Sequence, residues 1–478
     1  MNIRFETTGC RLNQIESESA ARSFVEAGFS VIVKPLQAKN SDDNETVLCV
    51  VNTCAVTQKA EQKDRRIIRL VLEKCPNAAV IVTGCYAQLS SEDIAKISPR
   101  IAVLKGQLKS RLADVPGLLK KQLKQNSFDA FSFAKLLNEG LFSGIALKSG
   151  TSENPFRLAT DSFLAHSRSS IKIQDGCNCI CSYCTINAAR GHSVSLDAEE
   201  VLKRVKQLEE AGQSEVVFTT VNIGQYKGRY KDGFVNFSKL LMLCLENTSE
   251  ICFRISSLYP EIVDDEFCRA IKDKRVRPHF HISVQSGSDK ILKAMKRNYV
   301  AKQVEDACAL IRSVKDNPFL AADIITGFPG ETDEDFEQTM MLCKKCDFAW
   351  VHVFPFSARP GTAAAVMKPK IPQFVSGKRA AELLAWAKAN KIKYIESYRN
   401  KIVDAVLETV KKPLVFNDGE GRLVFHAVSE NFLHCEIYSS ERESGRKPGS
   451  PVKLKILGPI GIGEQKSGEI DTLADFAE

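Results

Sequence analysis

Apolar and polar residues alternate in four different rhythms along this 478-residue chain, and each change of rhythm predicts a change of architecture. Over residues 1–112, short apolar runs alternate with helical patterns. Ile3-Arg4-Phe5 and residues 29–33, 47–51, 78–83 and 101–104 predict strands, and residues 14–27 and 59–73 predict helices. That order implies an open, doubly wound parallel sheet. Residues 115–162 lose sustained periodicity; a basic helical end at 118–124 and the turn-rich Ser149-Gly150-Thr151-Ser152-Glu153-Asn154-Pro155 predict a linker. From 163 to 400 strands and helices alternate again, as in a (β/α) barrel. Predicted strands at 215–220, 252–256, 279–284, 320–325 and 350–354 run into small or polar residues, the end where barrel sites are assembled. Across 403–470, short runs separated by Gly and Pro predict a small antiparallel β-barrel. The expected whole is α/β, with units at 1–114, 163–400 and 403–470.

Length agrees with several units, since a single core stops growing at about 250–300 residues. Hydrophobic content of 44% and charged content of 26% are ordinary for a globular protein. No apolar run approaches the roughly 18–20 residues of a membrane span, and Met1-Asn2-Ile3-Arg4-Phe5-Glu6 lacks a basic-then-apolar leader pattern. The expectation is no membrane partner and a reducing cytoplasm, in which sixteen cysteines argue against a disulfide framework. Net charge of +8 is compatible with a polyanion but modest. Residues 269–302 carry ten Lys or Arg, among them Arg275, Arg277, Lys293, Lys296 and Arg297, and 378–401 carry seven against Glu382 and Glu396. Such stretches suit phosphate contacts, or equally a solvated helix face. Residues 403–478 hold nine Lys or Arg against thirteen Asp or Glu, a poor phosphate clamp.

The chemistry is concentrated in cysteines. Within Cys177-Asn178-Cys179-Ile180-Cys181-Ser182-Tyr183-Cys184, the residues Cys177, Cys181 and Cys184 fall at Cys-x3-Cys-x2-Cys spacing. Three thiolates can hold three irons of a cubane cluster and leave the fourth open. A zinc site that recruits Cys179 or His192 as fourth ligand is the alternative. Cys10, Cys54 and Cys85 each follow a predicted strand, at the end where open α/β sheets build sites, and could converge on a second cluster. Cys49, inside a strand, and Cys75, before Pro76, read as structural, as does the helical pair Cys343 and Cys346.

The Cys177 motif resembles the signature of radical S-adenosylmethionine (SAM) enzymes. Together with Cys10, Cys54 and Cys85 in an amino-terminal α/β domain and the run Lys172-Ile173-Gln174-Asp175-Gly176-Cys177, the chain resembles the methylthiotransferases over roughly residues 1–110 and 166–400. Gly9-Cys10-Arg11-Leu12-Asn13-Gln14-Ile15-Glu16 is most similar to the branch acting on N6-threonylcarbamoyladenosine in tRNA. The resemblance implies two 4Fe–4S clusters, SAM across the strand ends of a partial (β/α)6 barrel, and sulfur carried at the cluster on Cys10, Cys54 and Cys85. By position, Thr220, Asn222, Gln285, Ser286 and Thr326 are the expected SAM neighbours. The unit at 403–470 resembles the TRAM domain that ends many family members. Asn187 stands where relatives usually have Pro, which predicts a different course after the cluster loop.

The reaction so implied is addition of a methylthio group to carbon 2 of the adenine 3′ of the anticodon, whose C–H offers no acid–base handle. Expected partners are a tRNA anticodon stem-loop, an electron donor of flavodoxin or ferredoxin type, and a sulfur source. Arg11, Asn13 and Gln14 could read the threonylcarbamoyl group. Alternatives are a methylthiotransferase acting on isopentenyladenosine or a ribosomal protein side chain, and a non-catalytic iron–sulfur or zinc module on RNA.

Overall fold

The apolar runs of the first 110 residues are buried on both faces, as strands of a covered parallel sheet must be. The computed structural model describes residues 1–125, 128–143, 154–159, 168–410, 414–415, 421–439, 446–460 and 470–477. Its first sheet is parallel throughout, in the order Ser30–Ile32, Asn2–Thr7, Thr46–Thr53, Ala79–Gly84 and Ile101–Val103. Alternation along the central strands serves two cores. Leu48 and Val50 meet Phe24 of the helix Arg11–Glu26 on one face, while Cys49 and Val51 meet Ile68 and Val71 of the helix Gln58–Lys74 on the other. Chain order reverses between the first and third strands, so the crevice outside their carboxyl ends is where such a sheet places a site.

Residues 115–162 differ from the predicted linker. The helices Val115–Gln125 and Ala130–Glu139 fold onto the sheet and bury Leu119, Phe133 and Leu137, with Phe142 and Leu158, in the same core as Ile3. Each helix is too short to be stable alone, and packing supplies what its weak local pattern does not. The segment from Ser149 to Glu153 lies outside the described residues.

Six parallel strands follow: Ser169–Lys172, Glu215–Thr219 and Cys252–Ile255 in one sheet, and His279–Gln285, Phe319–Thr326 and Trp350–Pro355 in a second. Parallel bridges from Phe253 to Val276 and from Leu258 to Ile282 join them into a partial barrel. Alternate side chains, including Ile171, Phe218, Phe253, Phe280 and Ile324, pack outward against helices. The period of two leaves Ser170, Arg254, His281, Asp323 and His352 on the inner face.

The last unit is a small closed barrel in which Ile402–Val410 pairs with both Gly421–Ser429 and Pro451–Pro459. Every pairing is antiparallel except that of His434–Ser439 with Thr472–Phe476, and this last strand carries the unit past the expected end at 470. Its turn at Phe432 closes the amino-terminal end of the partial barrel. The ring stacks on His279 at 4.0 Å, with the Arg254 and Arg168 guanidinium groups 5.4 and 5.9 Å from its centre. No described helix is long and apolar enough to cross a membrane, and all sixteen cysteines are unbridged.

Candidate active site

Cys10, Cys54 and Cys85 follow the first, third and fourth strands of the first sheet, and register brings them level. Thr7 pairs with Asn52, and Thr53 with Gly84. All three are near enough to influence one another's ionisation. Glycine makes the approach possible twice. Gly9 has φ +89°, and a Cβ there would lie 2.7 Å from Cys54 Cβ; Gly84 has φ +99°, and its Cβ would meet the Thr53 carbonyl. A side chain at either position would be both strained and blocked. Cys10 caps the helix Arg11–Glu26 with its own backbone rather than its side chain, so the helix starts three residues before the pattern predicts and its positive end faces the thiols. Beneath them Asp64 accepts from Thr8 Oγ1 at 2.6 Å and from the Cys54 amide at 2.8 Å, and burial lifts it to about 6. Burial pushes the Cys54 thiol up to about 11.

The second triad sits on the loop after the first barrel strand. Ser182 fastens this loop, its hydroxyl donating to the Ala294 carbonyl at 2.8 Å and its amide to that of Met295 at 3.0 Å. Asn187 Nδ2 donates to the Cys177 carbonyl at 2.7 Å, so the residue that departs from the family pattern braces the loop in a way Pro cannot. Cys179 is more engaged than a bystander. Its amide donates to Cys177 Sγ at 3.4 Å, its thiol lies close enough to those of Cys177 and Cys181 to lower both to about 6, and its sulfur receives Gln225 Nε2 at 3.1 Å and Asn222 Nδ2 at 3.5 Å. Arg297 Nη1 reaches Cys181 Sγ at 3.4 Å, its guanidinium held between the rings of Tyr259 and Tyr299.

Donor chemistry and spacing decide which metal group these residues fit. Among the described residues no three His, Cys, Asp or Glu side chains converge on a point as a single ion requires, and His192 turns to Asn178 instead. That disfavours tetrahedral zinc. A cubane takes each thiolate at a different corner, so three neighbouring but separate soft donors fit it.

A buried charge network joins the two triads. Glu16 meets Lys109, Lys172 at 2.8 Å and Arg190 at 3.1 Å, and Asp175 meets Lys172 at 3.0 Å and Arg190 at 2.9 Å. Burial alone would raise both carboxyls; Arg190, then the lysines, hold Glu16 well below the ordinary range, and Arg190 and Lys172 lower Asp175. Arg190 also feels Cys85 and Cys10, while Asp175 accepts from the Gly176 amide next to Cys177. The sequence signals this network only by charge inside otherwise apolar runs.

The remaining predicted residues divide. Asn222 lies against the cysteine loop, and Thr220 shares a 3.3 Å contact with Ser256 at the rim. Gln285 ends its strand buried with φ +70°, a left-handed conformation uncommon for a non-glycine residue. Ser286 and Thr326 turn their hydroxyls to Thr339 and to the Ser376 carbonyl, at 3.3 and 3.2 Å. Asn13 is internal, holding the Thr8 and Thr53 carbonyls at 3.0 Å, and Gln14 lines a separate cleft with Lys63 and Arg66. Arg11 alone of its trio enters the barrel, where Nε donates to Ser170 Oγ at 3.1 Å.

The chain resembles known proteins along most of its length. Residues 171–343 match the Radical SAM superfamily, and residues 2–106 match an uncharacterized protein family, UPF0004. The threonylcarbamoyladenosine tRNA methylthiotransferase MtaB of Treponema pallidum is 42% identical, covering 95% of this chain and 98% of its own. The enzymes of that name from Bacillus subtilis and Thermotoga maritima are 31% and 35% identical, over 95% and 82% of this chain and 93% and 83% of theirs. The solved structure of the radical SAM methyltransferase TsrM from Kitasatospora setae shares the fold at a TM-score of 0.51 and 13% identity, over 76% of this chain and 74% of that one. The chain belongs to the threonylcarbamoyladenosine tRNA methylthiotransferases, a family of radical SAM enzymes.

Proposed function

We propose that the chain adds a methylthio group to carbon 2 of N6-threonylcarbamoyladenosine 3′ of the anticodon in tRNA. Cys177, Cys181 and Cys184 hold one 4Fe–4S cluster and Cys10, Cys54 and Cys85 the other. The observation that carries this reading is the linkage of two thiol triads through one buried network, Glu16–Arg190–Asp175, in a single chain. When bound, the clusters and SAM supply one-electron chemistry able to break an unactivated C–H bond, and the sulfur that replaces the hydrogen.

The chain's own residues orient and tune. Gly9 and Gly84 set the cysteine turns, and Arg297, Asn222 and Gln225 direct N–H groups at sulfur, which favours thiolate and adjusts potential. Asn222, Gln285 and Thr220 form the SAM rim, with Ser286 and Thr326 fixing its shape through Thr339 and Ser376. Turnover draws on a flavodoxin- or ferredoxin-type donor and a sulfur source in the cytoplasm.

The test is reconstituted enzyme with tRNA bearing N6-threonylcarbamoyladenosine, tRNA bearing isopentenyladenosine, and ribosomes, read by nucleoside and peptide mass spectrometry. The 2-methylthio product should form on the first alone. Product only on isopentenyladenosine or only on ribosomal protein refutes the substrate.

A further inference from the structure

We propose that Arg11 is the receptor for the carboxylate on the N6 substituent of the substrate base, an inference that rests on the function proposed above. Arg11 is the residue after Cys10, and its side chain crosses from the first sheet to the inner face of the barrel. The bond from Nε to Ser170 Oγ at 3.1 Å fixes the stem. Ser170 pairs with Val217, and the residues alternating with them, Ile171 and Phe218, fill the core behind. Among the described residues neither terminal nitrogen of Arg11 meets an acceptor.

The nearby acids are committed elsewhere. Glu215 takes Arg254 at 2.8 and 3.1 Å and Arg277 at 3.1 Å, with Arg168 at 3.8 Å. Glu408 takes Arg168 at 2.8 Å. Asp404 and Glu430 face Arg277, each at 3.6 Å, so the acids at this end of the barrel are shared among Arg168, Arg254 and Arg277, and burial together with Arg254 and Arg168 holds His279 in its neutral form. A planar guanidinium whose two terminal nitrogens are unpartnered among the described residues, on the inner face of the barrel, matches a carboxylate, which it binds as a fork.

The chemistry of the proposed substrate supplies that group. Threonine joined through its amino nitrogen keeps its α-carboxylate free. Carbon 6, which bears N6, and carbon 2 flank the same ring nitrogen, so a receptor for the substituent belongs within a nucleobase's reach of the sulfur-bearing cysteines. An isopentenyl group would leave the guanidinium unpaired, so the same residue would reject it. An RNA backbone phosphate offers similar chemistry, and the test separates the two.

Methylthiolation kinetics would be measured on two anticodon stem-loops, one carrying N6-threonylcarbamoyladenosine and one its uncharged threoninamide counterpart. Wild type should favour the acid in kcat/KM by roughly ten- to hundredfold. Arg11→Gln should bring that ratio near one, chiefly by loss on the acid, and Arg11→Lys should retain part of it. A ratio taken within each protein is blind to incomplete cluster loading. An unchanged ratio in Arg11→Gln, or equal losses on both RNAs as for a phosphate contact, overturns the inference while the substrate stands. Wild type inactive on both but active on isopentenyladenosine removes the substrate and the inference together.

Discussion

Glu16 is where removal of one atom's charge should cost most. Its carboxylate faces Lys109, Lys172 and Arg190 with 3% of the side chain exposed, and Asp175 is the only other acid in the network. Glu16→Gln keeps the shape but leaves three cations facing one carboxylate. Breaking a buried ion set by removing one partner costs about 3–5 kcal/mol. Lys109→Met should cost less, because Glu16 then retains Lys172 and Arg190 and the set becomes neutral. Urea denaturation followed by circular dichroism would report all units, and tryptophan fluorescence would report the barrel, against whose core both Trp350 and Trp386 pack. The folded Glu16 carboxyl lies well below its ordinary 4.5. Its contribution is therefore complete above pH 4.5 and lost as pH falls toward the folded value. The gap between wild type and Glu16→Gln should be full at pH 7 and shrink below 4.5. A gap under about 1 kcal/mol at neutral pH, or a larger loss for Lys109→Met, would refute the reasoning.

Two further predictions concern the cysteines and the carboxy-terminal unit. Cys181→Ala should abolish SAM cleavage and Cys179→Ala should leave it largely intact, whereas Cys54→Ala should lose about four of eight irons and all methylthio product yet still cleave SAM; the reverse order for Cys179 and Cys181 sinks the ligand assignment. Phe432→Ala should weaken docking of the last barrel by about 2–3 kcal/mol, read as faster proteolysis near residue 400; unchanged cleavage would show that the ring stacked on His279 contributes little.

The parts legible in the sequence were those whose signal is local. Buried parallel strands such as Thr46–Thr53 are continuous apolar runs, and cluster cysteines announce themselves by spacing. The helix start at Arg11 was hidden because Cys10 carries no capping side chain. The helices at 115–139 are hidden in the sequence because Pro116 and Gly117 interrupt the pattern, and their apolar faces find their partners in the distant sheet. Glu16, Lys109, Lys172, Asp175 and Arg190 carry no local sign of burial, since nothing local tells positions so far apart that they share one dry site. Strand-end position placed Ser286 and Thr326 at the rim, but only the fold shows their hydroxyls bound to Thr339 and Ser376.

Composition alone is an incomplete guide to the last unit. Thirteen acids against nine basic residues over 403–478 argued against phosphate contact, but charge counts say nothing about direction. Glu408 pairs with Arg168, Asp404 and Glu430 with Arg277, and Asp471 with Lys391, all across the seam with the partial barrel. With those four paired across the seam, nine acids remain against nine basic residues. Internal contacts likewise absorb basic residues whose clustering suits phosphate: Arg277 serves Glu215, Arg275 holds the Leu245 and Thr248 carbonyls, and Arg297 faces Cys181. Lys293 and Lys296 stay exposed beside the cluster loop. Phosphate affinity follows the cations that reach the backbone, not the net charge of a domain. The acidity of the last unit is therefore largely the counter-charge of the barrel's own arginines and lysine, and it gives no ground for excluding that unit from the tRNA face.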